Sequence, residues 1–159
     1  MQIKLCCVGK LKESYFEAAC EEFSKRLSRY CNISIREVAD ESVPETLSPA
    51  GRAQALEKEG KRLLATMDER DRVIALALGP GSPTSEQFAG RLAQLEEGGH
   101  NHLAFVIGGS LGLAPAVLAR SHETLSLSSL TLPHRIARLV LLEQLYRAQK
   151  IRRREPYHK

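Results

Sequence analysis

Three stretches rich in glycine, serine and proline are the segments best suited to chemistry, and each follows an apolar run directly. They read Gly79-Pro80-Gly81-Ser82-Pro83, Ile107-Gly108-Gly109-Ser110-Leu111-Gly112-Leu113 and Ser128-Ser129-Leu130-Thr131-Leu132-Pro133-His134. Glycine at such points lets the backbone close on a ligand and take positive φ. The stretches carry almost no charge, which suits a neutral or zwitterionic ligand held by backbone N–H and C=O groups. They do not suit a polyphosphate. The chain has no Walker-type phosphate loop, and Thr84 stands where the third glycine of a dinucleotide fingerprint would follow Gly79 and Gly81. Tight strand-to-helix turns would use the same residue types, so the spacing by itself leaves both readings open.

Charge collects at the other end of the chain. Lys150, Arg152, Arg153, Arg154 and Lys159 face only Glu155 in the last ten residues. Such a group can grip RNA phosphates, and it also suits the C-terminus of a helix. Just before it, Arg135, Arg138, Glu143, Tyr146 and Arg147 interrupt an otherwise apolar helical pattern. Arg138 and Glu143 are badly spaced for one another, so each must find its partner elsewhere. Cys6, Cys7, Cys20 and Cys31 form no Cys-x-x-Cys pair, and no histidine cluster completes a metal site. Cys6 and Cys7 sit within an apolar run and read as buried free thiols.

The elements that must position these segments alternate regularly. Residues 3–8 read as a first strand. Ser14 begins a helix, with Glu17 at capping-box spacing and Phe16, Ala19, Cys20, Phe23 and Leu27 on one face. Residues 33–38 form a second strand. Pro49 opens a second helix, with Ala53, Leu56, Leu63, Leu64 and Met67 as its apolar side. Its Glu57, Lys58, Glu59, Lys61 and Arg62 read as a solvated face. Residues 72–78 form a third strand, apolar throughout as expected when both its faces are covered. Thr84 and Gln87 offer another capping box, leading into a helix that carries Phe88, Leu92 and Leu95 and ends at Gly98-Gly99. Residues 103–107 form a fourth strand, Pro115 starts a short helix, and residues 124–128 form a fifth strand. A last helix runs over about 134–151. Ile136, Leu139, Val140, Leu142 and Leu145 cover much of its circumference, so it must bury more than one face, inside the monomer or between two subunits.

This βαβαβαβαβα order predicts an α/β fold with a mostly parallel sheet and helices on both faces. In such sheets ligands bind beyond the carboxyl ends of the strands, where the three glycine-rich stretches fall. The chain has 159 residues, 43% of them apolar, with no Trp and four each of Tyr and Phe. That is the size of one domain with a mainly aliphatic core. The net charge of +4 is compatible with nucleic acid without requiring it. Unpaired cysteines suit a reducing cytoplasm. Lys4 breaks the first apolar stretch, which is too short for a signal peptide, and no run is long enough to span a membrane. Neither a metal nor a membrane partner is expected.

Taken together, Val106-Ile107-Gly108-Gly109-Ser110-x-Gly112, Leu130-Thr131-Leu132-Pro133-His134, Glu143-Gln144-Leu145-Tyr146-Arg147-Ala148 and Pro156-Tyr157-His158-Lys159 make a recognisable set. Val8-Gly9-Lys10-Leu11-Lys12 and Lys58-Glu59-Gly60 fit the same pattern. The ordered set resembles the RlmH family, the large-subunit ribosomal RNA pseudouridine N3-methyltransferases, minimal members of the SPOUT class. The resemblance spans the whole chain, 1–159, as a single SPOUT methyltransferase domain. It implies a trefoil knot made by about residues 105–133, a homodimer, and S-adenosylmethionine as cofactor. Carried over by position, the cofactor contacts are Leu76, Gly109, Ser129, Leu130, Thr131, Leu132, Pro133 and His134. One departure concerns Ser110-Leu111, where some members read Pro-Glu. The glycines are kept, so backbone binding is expected to persist without that carboxylate.

The implied acceptor is N3 of a pseudouridine in large-subunit (23S) ribosomal RNA, with the assembled ribosome as the expected partner. That nitrogen carries a proton, so the enzyme must remove it or stabilise the anion while aligning nitrogen, carbon and sulfur. His158 is the first choice as proton acceptor and His134 the second. Tyr157 would stack on or hydrogen-bond the base, and Arg147 would stabilise negative charge on its carbonyl oxygens. Lys150, Arg152, Arg153 and Arg154 would bind phosphates. The rival readings are a non-catalytic ribosome-binding or assembly factor of the same fold, a methyltransferase acting on transfer RNA or a small molecule, and, more remotely, a thiol enzyme.

Overall fold

The structure, a computed structural model, describes residues 1–79 and 81–159. Pro80, within the turn expected at Gly79-Pro80-Gly81, lies outside the described residues. Five strands, β1 (Gln2–Val8), β2 (Asn32–Val38), β3 (Arg72–Leu76), β4 (His102–Ile107) and β5 (Glu123–Leu125), alternate with five helices. The helices are α1 (Ser14–Leu27), α2 (Pro49–Leu64), α3 (Ser85–Glu97), α4 (Pro115–Arg120) and α5 (His134–Arg152). The expected order of elements is the observed one. The strands form one sheet in the order β2-β1-β4-β3-β5, and every pairing is parallel.

Period-two alternation divides the core. Ile3, Leu5 and Cys7 of β1, with Leu103, Phe105 and Ile107 of β4, face a layer made by α1, α3 and α5. Cys6, Val8, Ala104 and Val106 face the opposite layer, where Leu63 of α2 and Val117 of α4 pack. Helices thus cover both faces. One apolar side of α5 is used within the chain, where Leu141, Leu142, Leu145 and Ala148 are fully buried in the first layer, while Ile136 is exposed and Leu139 and Val140 are half-buried.

Several local expectations are corrected. Ser14 does not cap α1. The N-cap is Glu13, which makes no side-chain cap bond because its carboxylate is taken by Arg135. The capping box of α3 is present as expected: Thr84 Oγ1 accepts from Gln87 N at 3.2 Å and Gln87 Oε1 accepts from Thr84 N at 2.9 Å. On α2 the buried row is Ala55, Glu59, Gly60 and Leu63, and Ala53 is exposed. Glu59 is therefore interior, not on the solvated face. β3 ends at Leu76 and β5 at Leu125, both short of their expected ends. Beyond that point Ser126 Oγ turns to donate to Ser128 O at 3.0 Å, which bends the chain out of the ladder. All four cysteines are buried and free. Burial pushes the Cys7 thiol up to about 12 and raises that of Cys6, so neither is poised as a nucleophile.

Candidate active site

Parallel strands put all their C-terminal ends along one edge of the sheet, and the order β4-β3-β5 makes the loops after these three strands neighbours. The loops enclose a cavity of about 790 Å³, within the range of small-molecule and cofactor sites. One wall is the end of β3, Leu76, Ala77 and Leu78. A second is Ile107 to Leu113. The third is Leu125 to Ser128 with Leu130 to His134, and Leu118 and Ala137 complete the lining.

Of the residues expected to contact a cofactor, Leu76, Gly109, Leu130, Thr131, Leu132, Pro133 and His134 all border this cavity. Ser129 lies in the same loop but is not on the wall. Leu118 and Leu127 were missed; nothing in their local spacing marks them, because only the folding of α4 and the β5 loop toward the cavity brings them there. Ser128 Oγ accepts from Leu130 N at 2.9 Å and shapes the turn. The glycine wall is close-packed. A Cβ on Gly108 would stand 2.2 Å from Gly112 O, and one on Gly109 would stand 3.0 Å from Val8 Cγ1.

Among the described residues, His134 is the one titratable side chain on the wall. Its pKa is lowered by burial first and by the neighbouring Arg135 and Arg138 guanidinium groups. The imidazole is therefore neutral at physiological pH and able to accept a proton. A largely apolar cavity with a close-packed glycine wall suits an uncharged or zwitterionic small molecule. Phosphates would meet no cation on this wall.

The tail residues form a second cluster. Arg147 Nε and Tyr157 Oη both donate to Glu143 Oε1 at 3.0 Å. The Arg147 guanidinium lies 4.7 Å from the centroid of the Tyr157 ring. Its Nη1 is 3.3 Å from His158 Nδ1, and His158 Nε2 is 2.7 Å from Glu86 Oε1. Arginine only donates, so Nδ1 accepts and Nε2 donates, which fixes the tautomer. Arg147, Tyr157 and His158, the three expected catalytic residues, thus share one network with Glu143 as its hub. The i,i+4 spacing of Glu143 and Arg147 signalled that pair in the sequence. Tyr157 is raised by burial and by its bond to Glu143.

Within one chain the cluster is remote from the cavity. His134 and Arg147 are roughly 20 Å apart along α5 at 1.5 Å per residue. The basic residues are placed unequally. Lys150 is bound to Glu155 at 2.7 Å and Arg152 to Glu96, whereas Arg153 and Arg154 are exposed, Arg153 over the Tyr30 ring at 4.9 Å. Arg138, by contrast, is a buried strut with 2% exposure, bound to Glu37 and to Gly9 O.

A parallel α/β sheet with a glycine-walled cavity beyond its strand ends defines a ligand-binding α/β protein. Residues 1–158 match the family described as "Predicted SPOUT methyltransferase", and the chain belongs to the SPOUT methyltransferase family. It is 51% identical to a protein of Bifidobacterium animalis subsp. lactis over 159 residues, covering all of both chains. It is 50% identical to one of Exiguobacterium sibiricum and 51% to one of Listeria monocytogenes serotype 4b, with the same full coverage. Each of the three is named "Ribosomal RNA large subunit methyltransferase H".

Proposed function

We propose that this chain transfers a methyl group from S-adenosylmethionine to N3 of a pseudouridine in large-subunit (23S) ribosomal RNA, acting on the assembled ribosome as a cytoplasmic homodimer. Residues 1–159 form a single SPOUT methyltransferase domain, with about 105–133 threaded as a trefoil knot. The cavity walled by the loops after β3, β4 and β5 carries this reading, and the names of the full-length relatives support the substrate. When bound, S-adenosylmethionine supplies an electrophilic methyl group on a sulfonium.

The chain's own residues supply binding, orientation and proton transfer. Leu76, Gly109 and the Ser129–His134 loop hold the donor through apolar contact and backbone groups. Arg147, braced by Glu143, offers its guanidinium to the carbonyl oxygens beside N3. Tyr157 stacks on the base. His158 Nδ1, which accepts from Arg147, becomes free for the N3 proton when Arg147 turns to the substrate, and His134 is the alternative acceptor on the cavity wall. The roughly 20 Å along α5 between cavity and tail supports a homodimer in which one subunit's tail serves the other's cavity. Exposed Leu78, Leu130 and Ile136 give that partner an apolar surface. Exposed Arg153 and Arg154 contact phosphates, and Lys150 and Arg152 join them by exchanging their carboxylate partners.

The test is methyl transfer from labelled S-adenosylmethionine to ribosomes lacking the modification, with separated subunits and free RNA alongside. Label confined to large-subunit RNA in assembled particles is the expected result. Donor binding with no label in any substrate would favour a non-catalytic ribosome-binding role.

A further inference from the structure

Behind the glycine wall lies a carboxylate that no charge neutralises. Glu59 sits among charged neighbours on α2 yet is only 3% exposed. Its Oε1 accepts from Glu41 N at 2.9 Å, while its Oε2 has no hydrogen-bond partner. A Cβ placed on Gly109 would be 3.5 Å from that free oxygen, and Gly109 borders the cavity. Oε2 is thus separated from the ligand space by one residue of backbone.

The groups facing Glu59 are Asp40, Glu41 and Arg62. Arg62 is already bound to Glu41 and to Ala39 O, so the local balance stays negative. Burial, the largest effect, raises the Glu59 pKa, and Asp40 and Glu41 raise it further. A buried acid with a free oxygen is unfavourable unless a positive charge comes to it. The cavity wall supplies none, since among the described residues its one titratable side chain is His134 and burial keeps that neutral.

We infer that Glu59 is the counter-charge of the cavity, a specificity-determining residue that makes the site prefer a cationic methyl donor to its neutral thioether product. The inference rests on the proposed reading of the cavity as the S-adenosylmethionine site. Methyl transfer turns a sulfonium into a thioether and removes one positive charge from the ligand. A carboxylate behind the wall attracts the first and is indifferent to the second.

Calorimetric titration with S-adenosylmethionine and S-adenosylhomocysteine, on wild type and on Glu59→Gln, tests this. At intermediate dielectric a lost charge about 10 Å away weakens the cationic ligand about tenfold. The neutral ligand should change by under about twofold, so the ratio of the two Kd values shifts about tenfold. A merely structural role would weaken both ligands alike, and an unchanged ratio overturns the inference. Glu59→Asp, which keeps the charge, should restore most of the ratio.

In wild type the preference should fall as pH drops through the raised pKa of Glu59 and the acid loses its charge. A wild-type ratio independent of pH would also overturn it, and this arm stands even if a variant fails to fold. Wild type binding neither ligand would sink the methyl-donor reading itself. Wild type binding both, with Glu59→Gln leaving their ratio intact, would sink only the role of Glu59.

Discussion

At the scale of single residues, buried charge does the organising. Arg138 is a guanidinium inside the protein, and it joins α5 to the end of β2 through Glu37 and to the loop after β1 through Gly9 O. Four residues before it, His134 begins α5 and borders the cavity. The strut therefore ties the start of α5, where it borders the cavity, to the sheet edge. Arg138→Ala should cost about 3 kcal/mol or more, because it strands Glu37 and a carbonyl together with a void. Urea unfolding of wild type and variant measures that difference, and a loss below about 1 kcal/mol would show that the pair is not structural. Glu143, half-buried further along α5, organises its neighbours from a more exposed position. One of its oxygens receives both Arg147 and Tyr157, so it sets their mutual geometry before any substrate arrives.

At the scale of elements, two termini carry the residues assigned to the proposed function. The loop after β4 folds back on itself, with Gly112 N donating to Gly109 O at 3.1 Å. A methyl group on Gly108 would stand 2.2 Å from Gly112 O, a backbone atom that cannot swing aside. Gly108→Ala should therefore open the wall and weaken S-adenosylmethionine binding at least about tenfold while the sheet stays folded. Calorimetric titration beside circular dichroism separates the two effects, and unchanged affinity would place the donor elsewhere.

The other terminus ends α5 in a Schellman turn, with Glu155 N donating to Lys150 O at 2.9 Å and Arg154 N to Ile151 O at 3.0 Å. Arg154 holds the left-handed position at φ 54° where glycine is usual. Arg154→Gly should relieve about 1 kcal/mol of strain and raise Tm by about 2–4 °C. It should also weaken ribosome binding and flatten its salt dependence. A more stable variant with unaltered salt dependence would remove Arg154 from the RNA surface.

At the scale of the whole molecule, the distance along α5 makes the proposed homodimer testable. In the homodimer proposed above, a cavity and a tail cluster roughly 20 Å apart along α5 act on one base across the two subunits. Gly108→Ala damages the cavity and Arg147→Ala the tail, so each homodimer should be inactive. Mixed and allowed to exchange subunits, they should regain up to about a quarter of wild-type turnover, since half the dimers carry one intact composite site. No recovery on mixing would mean that each chain completes its own site by a tail movement.

The alternation of strands and helices, the α3 capping box and the glycine, Leu-Thr-Leu-Pro and basic-tail segments were legible along the chain because each is a local pattern of period, turn or charge. The burial of Glu59 was misread, as part of a solvated face. Ala55, Glu59 and Leu63 recur every four residues on one helical row, but the charged neighbours Glu57, Lys58 and Lys61 hide the phase. The short β5 was not legible, because an edge strand's length depends on how far its single neighbour β3 runs beside it. Nor was the cavity. Loops separated by dozens of residues meet only because β4 inserts between β1 and β3 and β5 joins beyond β3. Strand order is set by long-range packing of whole layers, which no local periodicity encodes. Local chemistry named the loops after β4 and β5, and the order of the sheet brought them around one cavity, while Gly81, Ser82 and Pro83 fall outside its lining and the tail cluster lies further along α5.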